Sequence, residues 1–287
     1  MATMDPSRLM RWLTSRVMSR ISREAYVEAR RTKTEEGRIK AGAPHRVDYF
    51  HQVDEAYSDL TAQILVQLAE RYDIELHCHL VRGQEGKNAP EPEMLARLAR
   101  SDAHLIAPGY GLSFPEHPDP PEAEHVAVAT RILAAQSMAD FPPVVAAVSN
   151  ALWRGDGAAL DGLATAHGSA STDAAAAAVA AGTAKRRELR HYSGATFHYG
   201  DEWYWGVDRL YHLEMRLASL GADGNPDTPL IAPRPDADLM GHADQGRYTL
   251  ELYASLRSPY TAVVFDRAVA FAEEAGVELK LRPVLPM

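Results

Sequence analysis

The sequence predicts an α/β fold with a large helical insertion, and predicts that the same fold begins again near the C-terminal end. Three observations carry this. A β-rich segment, Val47-Asp48-Tyr49-Phe50, precedes a helical stretch through Leu60, Ile64, Leu65, Leu68 and Ala69 and a second β-rich run from Ile74 to Val81. Strand, helix and strand within about 35 residues form a βαβ unit, so the two strands are expected to be parallel. Ala195 to Tyr199 and Trp203 to Gly206 are aromatic and β-branched runs joined by Gly200-Asp201-Glu202, the pattern of a β-hairpin. Finally, Tyr248 to Leu281 lies over His45 to Cys78 at a constant offset of 203, strand on strand and helix on helix. Tyr57 falls on Tyr260, Val66 on Val269, Glu70 on Glu273 and Leu76 on Leu279.

Residues 1–45 form an N-terminal helical segment. Leu9, Leu13, Val17 and Ile21 recur at four-residue spacing on one face, among Arg8, Arg11, Arg16, Arg20 and Arg23. Such a helix suits a membrane surface or a transit sequence, but Asp5, Glu24 and Glu28 interrupt the basic face and favour a terminal helix packed on its own domain or on a partner. Residues 46–221 form the first domain, with a helical insertion over about 91–190. Its Ala174 to Ala181 run, preceded by the candidate N-caps Ser171, Thr172 and Asp173, reads as an ordinary helix. Asp208 is a candidate N-cap for a closing helix through Leu210, Leu213, Glu214 and Leu217. The Pro- and Asp-rich residues 222–245 read as a linker.

Residues 246–287 then restart the fold, and the sequence stops at Met287, just past the second strand of the new copy and before any hairpin. The expectation is an incomplete second domain in a fragmentary chain, one that folds poorly alone because a lone βαβ unit leaves an edge and an apolar face uncovered.

The 287 residues are 46% hydrophobic and 24% charged, an ordinary globular mixture without a run approaching the roughly 20 apolar residues of a membrane span. Thirty Lys and Arg against thirty-nine Asp and Glu give a net charge of -9, which disfavours nucleic acid as a partner. The one cysteine, Cys78, excludes an internal disulfide and a C-x-x-C dithiol site; a cytoplasmic, reducing setting is expected. His77-Cys78-His79 resembles a metal cluster, yet in a strand Cys78 faces away from the two histidines, and the repeat places Lys280, Leu281 and Arg282 at these positions. No metal is expected there.

Several segments carry a resemblance: Ser258-Pro259-Tyr260 after a strand, Leu95 to Phe114 with Gly111-Leu112-Ser113-Phe114, Ala151 to Asp156, Gly194-Ala195-Thr196-Phe197, and Trp205 to Leu210. In this order they resemble the DsbA-like thioredoxin-fold superfamily, in the branch of 2-hydroxychromene-2-carboxylate isomerases and kappa-class glutathione transferases. The resemblance implies a thioredoxin-like domain followed by the start of a second thioredoxin-like copy. It also implies a glutathione-dependent isomerase, transferase or oxidoreductase-family activity on a small-molecule substrate, and a possible homodimer.

It further implies that glutathione is gripped by a Ser-Pro helix start, a cis-proline loop and an acidic residue near the last helix. Carried over, these are the candidate catalytic Ser258 in the second copy and its degenerate equivalent Glu55 in the first, with Ala195, Thr196 and Asp208 as ligand-binding candidates. Glu55 stands where a thiolate would be stabilised and would repel it; as alternatives it is a general base or a plain N-terminal acidic residue. Ala195 replaces the cis-proline, so Gly194-Ala195 is expected to be trans and the loop reshaped. On this reading Glu55→Ser strengthens glutathione binding, more so at high pH, and Ala195→Pro adds to the gain. The rival reading is a non-catalytic binding or scaffolding domain.

Overall fold

The computed structural model describes residues 7–21, 23–84, 86–89, 91–116, 118–235, 244, 246–255 and 258–284. Asp5, the linker positions 236–243 and 245, and Met287 lie outside the described residues. By compactness the chain divides into residues 1–234 and residues 235–287.

The first unit opens with helices α1 (Arg8–Ile21) and α2 (Glu24–Lys40). The expected packing of the terminal helix on its own domain is not found for α1, whose fourteen residues are all exposed. Helix α2, by contrast, is fastened by its polar side chains. Arg31 meets both carboxylate oxygens of Glu202 at 3.0 to 3.2 Å, and Arg38 holds Glu35 and donates to the Ala43 carbonyl. No helix among the described residues is long and apolar enough to cross a membrane.

Strand β1 (Arg46–His51) leads through α3 (Ala56–Ala62) and α4 (Leu65–Arg71) to β2 (Glu75–Leu80). The strands are parallel, in register from Arg46 with Glu75 to His51 with Leu80. The stretch read as one helix is two, interrupted at Gln63 and Ile64. Both residues keep right-handed backbone angles, and Ile64 N–H reaches back only three residues, to the Thr61 carbonyl, while the Gln63 amide bonds the Asp59 carboxylate and the Ser113 backbone.

The insertion comprises α5 (Pro92–Ile106), α6 (Ala123–Ala134), α7 (Phe141–Trp153), α8 (Gly157–His167) and α9 (Thr172–Glu188). Ser171 caps α9 by accepting from Ala174 N–H at 3.1 Å. Helix α9 lies hard against β2 because Gly182 has no side chain: a Cβ there would strike the Leu80 carbonyl oxygen.

The hairpin β3 (Thr196–Tyr199) and β4 (Glu202–Trp205) follows, then the closing helix α10 (Val207–Ser219). Strand β3 runs antiparallel to β1, pairing Tyr49 with Phe197, and completes the sheet order β2-β1-β3-β4. Strand β1 is central and covered on both faces, so Val47, Tyr49 and Phe50 are all fully buried.

Residues 222–234, read as linker, belong to the first unit. Asp223 makes two bonds to Arg71 at 2.9 and 3.0 Å. The buried Glu214 carboxylate accepts from Tyr72 Oη, Ile231 N–H and Ala232 N–H. Specific carboxylate partners, which the Pro- and Asp-rich composition does not reveal, hold this stretch down.

The second unit contains β5 (Thr249–Leu252), α11 (Pro259–Ala275) and β6 (Glu278–Leu281). Its strands are parallel, and Thr249 pairs with Glu278 as Arg46 pairs with Glu75. The likeness extends to single bonds: Val81 N–H meets the His51 carbonyl at 2.9 Å, and Val284 N–H meets the Ala254 carbonyl at 2.9 Å. No hairpin is present among the described residues of this unit, so a complete second domain is not seen.

Candidate functional site

Where β1 ends, the chain turns through Gln52 to Glu55 into α3, opposite the Ser193-Gly194-Ala195 loop that enters β3. Between them and the insertion lies a cavity of about 640 Å³, on whose wall stand Glu55, Gln52, Arg100, Trp153, Gly194 and Trp205. The wall joins the core fold to the insertion through Tyr57, whose hydroxyl donates to Asp102 Oδ2 on α5 at 2.8 Å.

Glu55 is the N-cap of α3, extended at φ -117°, ψ 127°, and its Oε2 accepts from Ser58 N–H at 2.7 Å. Burial raises its pKa to about 7 against the lowering effect of the Ser58 bonds. The capping alternative for Glu55 is seen directly, and the same side chain stands on the cavity wall. One turn on, burial also brings Asp59 to about 7, opposed by its bond from Gln63 and reinforced by the charge of Glu55.

Ser58, which sequence reasoning did not single out, organises the site. Its fully buried hydroxyl oxygen accepts from Gln52 N–H and from Ala195 N–H, each at 3.1 Å. The signal was present in the repeat, since Thr261 stands at the equivalent position and its hydroxyl oxygen accepts from Ser255 N–H at 3.2 Å.

Ala195 is buried in the left-handed region at φ 50°, and no cis peptide occurs among the described residues. Its N–H goes to Ser58 and its carbonyl accepts from Gly206 N–H at 2.7 Å. The expected ligand-pairing backbone is therefore already engaged within the protein at this residue. Next to it, a Cβ on Gly194 would come within 2.8 Å of Gln52 Cβ, so the two loops approach as closely as glycine allows.

Neither Thr196 nor Asp208 is on the cavity wall. Thr196 is buried in β3, with its hydroxyl donating to the Ser193 carbonyl at 3.2 Å. Asp208 is not the N-cap of α10: Gly206 takes that place at φ 67°, and Asp208 sits in the first turn, exposed and 3.4 Å from Arg209. Ser258 is the N-cap of α11 in the second unit, with Pro259 at the helix start, and its side chain makes no cap bond.

The His-Cys-His run is accounted for structurally. Cys78 is buried in the core, and burial drives its thiol pKa upward. His79 bonds Asp48 at 2.7 Å on the other face. Burial opposes ionisation of Asp48, but its bonds from His79 and Arg46 prevail and hold it below the usual carboxylate range. The cavity aromatics Trp153 and Trp205 fall in segments that carry the resemblance but are not read as site residues, because an aromatic residue in a helix or strand carries no mark of which surface the fold will bring it to.

No family model matches the chain, and no curated protein matches it. Among solved structures it is similar to a 2-hydroxychromene-2-carboxylate isomerase, at 22% identity and a TM-score of 0.47, covering 61% of this chain and 96% of that one. It is also similar to a "probable DsbA oxidoreductase" from Streptomyces coelicolor, at 13% identity and a TM-score of 0.45, covering 65% and 92%. The parallel β1–β2 pair joined by helices, the antiparallel β3–β4 hairpin, the closing helix and the insertion between the two halves give the first unit the topology of a thioredoxin fold.

Proposed function

We propose that residues 46–221 form a small-molecule enzyme of the isomerase or transferase type in which the Glu55 carboxyl moves protons. The observation that carries this reading is the placement of Glu55, held by Ser58 N–H on the wall of a cavity of about 640 Å³, a volume that suits a compact organic ligand. A carboxyl with a pKa of about 7 takes and returns a proton at neutral pH with little free-energy penalty, the requirement of an isomerisation by proton transfer. Trp153 and Trp205 suit a flat apolar body, and Arg100 offers a cation to an acidic group on it.

Glutathione, the cofactor implied by the resemblance, is the first cosubstrate to test. Two features favour chemistry at Glu55 over chemistry at a glutathione thiolate: the carboxylate would repel that thiolate, and the Ala195 backbone is already paired. Dithiol exchange finds no support in a chain whose one cysteine is buried. A binding domain without turnover is the second reading, favoured by the cap bond that ties Glu55 to Ser58.

We also infer that residues 246–284 begin a second thioredoxin-like copy, supported by the shared strand register and by the hydroxyl bonds of Ser58 and Thr261. Ser258 then holds in that copy the place of Glu55.

The deciding experiment follows isomerisation of 2-hydroxychromene-2-carboxylate by absorbance, with and without glutathione, alongside calorimetric titration of both. Turnover without glutathione that falls about 100-fold or more in Glu55→Gln supports the proposal. Turnover unchanged in Glu55→Gln, or strictly dependent on glutathione, overturns the role of Glu55. Saturable binding without turnover replaces it with the binding-domain reading.

A further inference from the structure

We propose that helix α1 docks the protein on an anionic lipid surface. Every residue of α1 is exposed, including Leu9 at 65%, Trp12 at 52% and Val17 at 56%. Leu9, Leu13, Val17 and Ile21 share one face, so the uncovered apolar surface is continuous along the helix. Helix α2, the next element, is fastened by Arg31 to Glu202, whereas every residue of α1 is exposed.

Charge selects the occupant. The chain carries a net charge of -9, yet α1 contains Arg8, Arg11, Arg16 and Arg20 and no acidic residue. Arg16 and Arg20 lie beside Leu9 and Leu13 around the helix, at the border of the apolar face. With that face in the acyl region, their guanidinium groups reach up to the phosphate level, where they bind phosphate oxygens in pairs. A protein groove would have to meet the same border with acids placed beside an apolar floor, whereas an anionic bilayer supplies both at any rotation of the helix. Trp12, with the Arg16 guanidinium 4.7 Å from its ring centroid, adds an amphipathic group suited to the headgroup boundary. At 1.5 Å per residue the fourteen-residue helix spans roughly 21 Å, short of the roughly 30 Å hydrocarbon core, so it lies in the interface rather than across it.

The test is co-sedimentation of the full chain with vesicles of phosphatidylcholine and phosphatidylglycerol at about 3:1, against pure phosphatidylcholine, at low and high salt. The wild type is expected to bind the anionic vesicles at least about 10-fold more strongly than the neutral ones, and less at high salt. The double variant Leu13→Glu/Val17→Glu is expected to lose that binding about 10-fold or more with an unchanged thermal unfolding midpoint, since both positions are exposed. Arg16→Gln/Arg20→Gln is expected to weaken the salt dependence. Failure of the wild type to sediment with anionic vesicles, or equal binding by Leu13→Glu/Val17→Glu, overturns the proposal. A lipid-free dimer that Leu13→Glu/Val17→Glu dissociates, without vesicle binding by the wild type, also overturns it in favour of a second copy as the occupant.

Discussion

The Ser58 hydroxyl oxygen accepts the N–H of Ala195, a residue 137 positions away, at 3.1 Å. The same oxygen accepts Gln52 N–H, so one small side chain ties the turn after β1 to the loop entering β3. Ser58→Ala leaves the buried Ala195 N–H and the partly buried Gln52 N–H without that acceptor, the buried one worth about 1–3 kcal/mol and the other less. Urea unfolding is expected to register a loss of about 2–4 kcal/mol, and Ser58→Thr, which keeps the hydroxyl as Thr261 does, to lose much less.

Proline at position 195 is expected to act opposite to the sequence-based expectation. Ala195 has φ 50° and donates its N–H, while proline fixes φ near -65° and has no N–H to give. Ala195→Pro is expected to cost about 3 kcal/mol or more and to reduce ligand affinity rather than restore it. Thermal unfolding and calorimetric titration of the variant check both; an unchanged midpoint with tighter glutathione binding would reinstate the original expectation.

Glu55 makes stability depend on pH in a direction opposite to that of a salt-bridged carboxylate. Its pKa rises from the ordinary 4.5 to about 7 on folding, so between these values the native state holds a proton that the unfolded state has released. Its contribution to stability therefore falls as pH rises from about 4.5 to 7 and is level above, by on the order of 3 kcal/mol. Asp59 acts in the same direction between 3.8 and about 7. Denaturant midpoints measured from pH 4.5 to 8 are expected to decline for the wild type and to decline less for Glu55→Gln.

Glu214 holds residues 222–234 onto the first unit. Replacing it by alanine strips the Tyr72 hydroxyl and the Ile231 and Ala232 N–H groups of their acceptor in one step. The expected cost is about 3 kcal/mol or more, with new protease cleavage in 222–234 before global unfolding. Cleavage at the wild-type rate would show that other contacts, such as Arg71 with Asp223, suffice.

Local patterns in the sequence determined the elements. β-rich and aromatic runs marked β1, β2 and the hairpin, the candidate caps Ser171, Thr172 and Asp173 marked the start of α9, and the constant offset of 203 located the β5-α11-β6 unit. These follow from interactions within a few residues, or from comparison of the chain with itself, and need no coordinates. Tertiary structure decided what each element meets. It gave Ala195 its positive φ through Ser58 and Gly206, brought Trp153 and Trp205 to the wall that Glu55 faces, turned a supposed linker into a segment gripped by Glu214, and left α1 uncovered. Burial is a property of the assembled fold, and burial is what carries the Glu55 carboxyl from an ordinary capping group to one that titrates near neutrality.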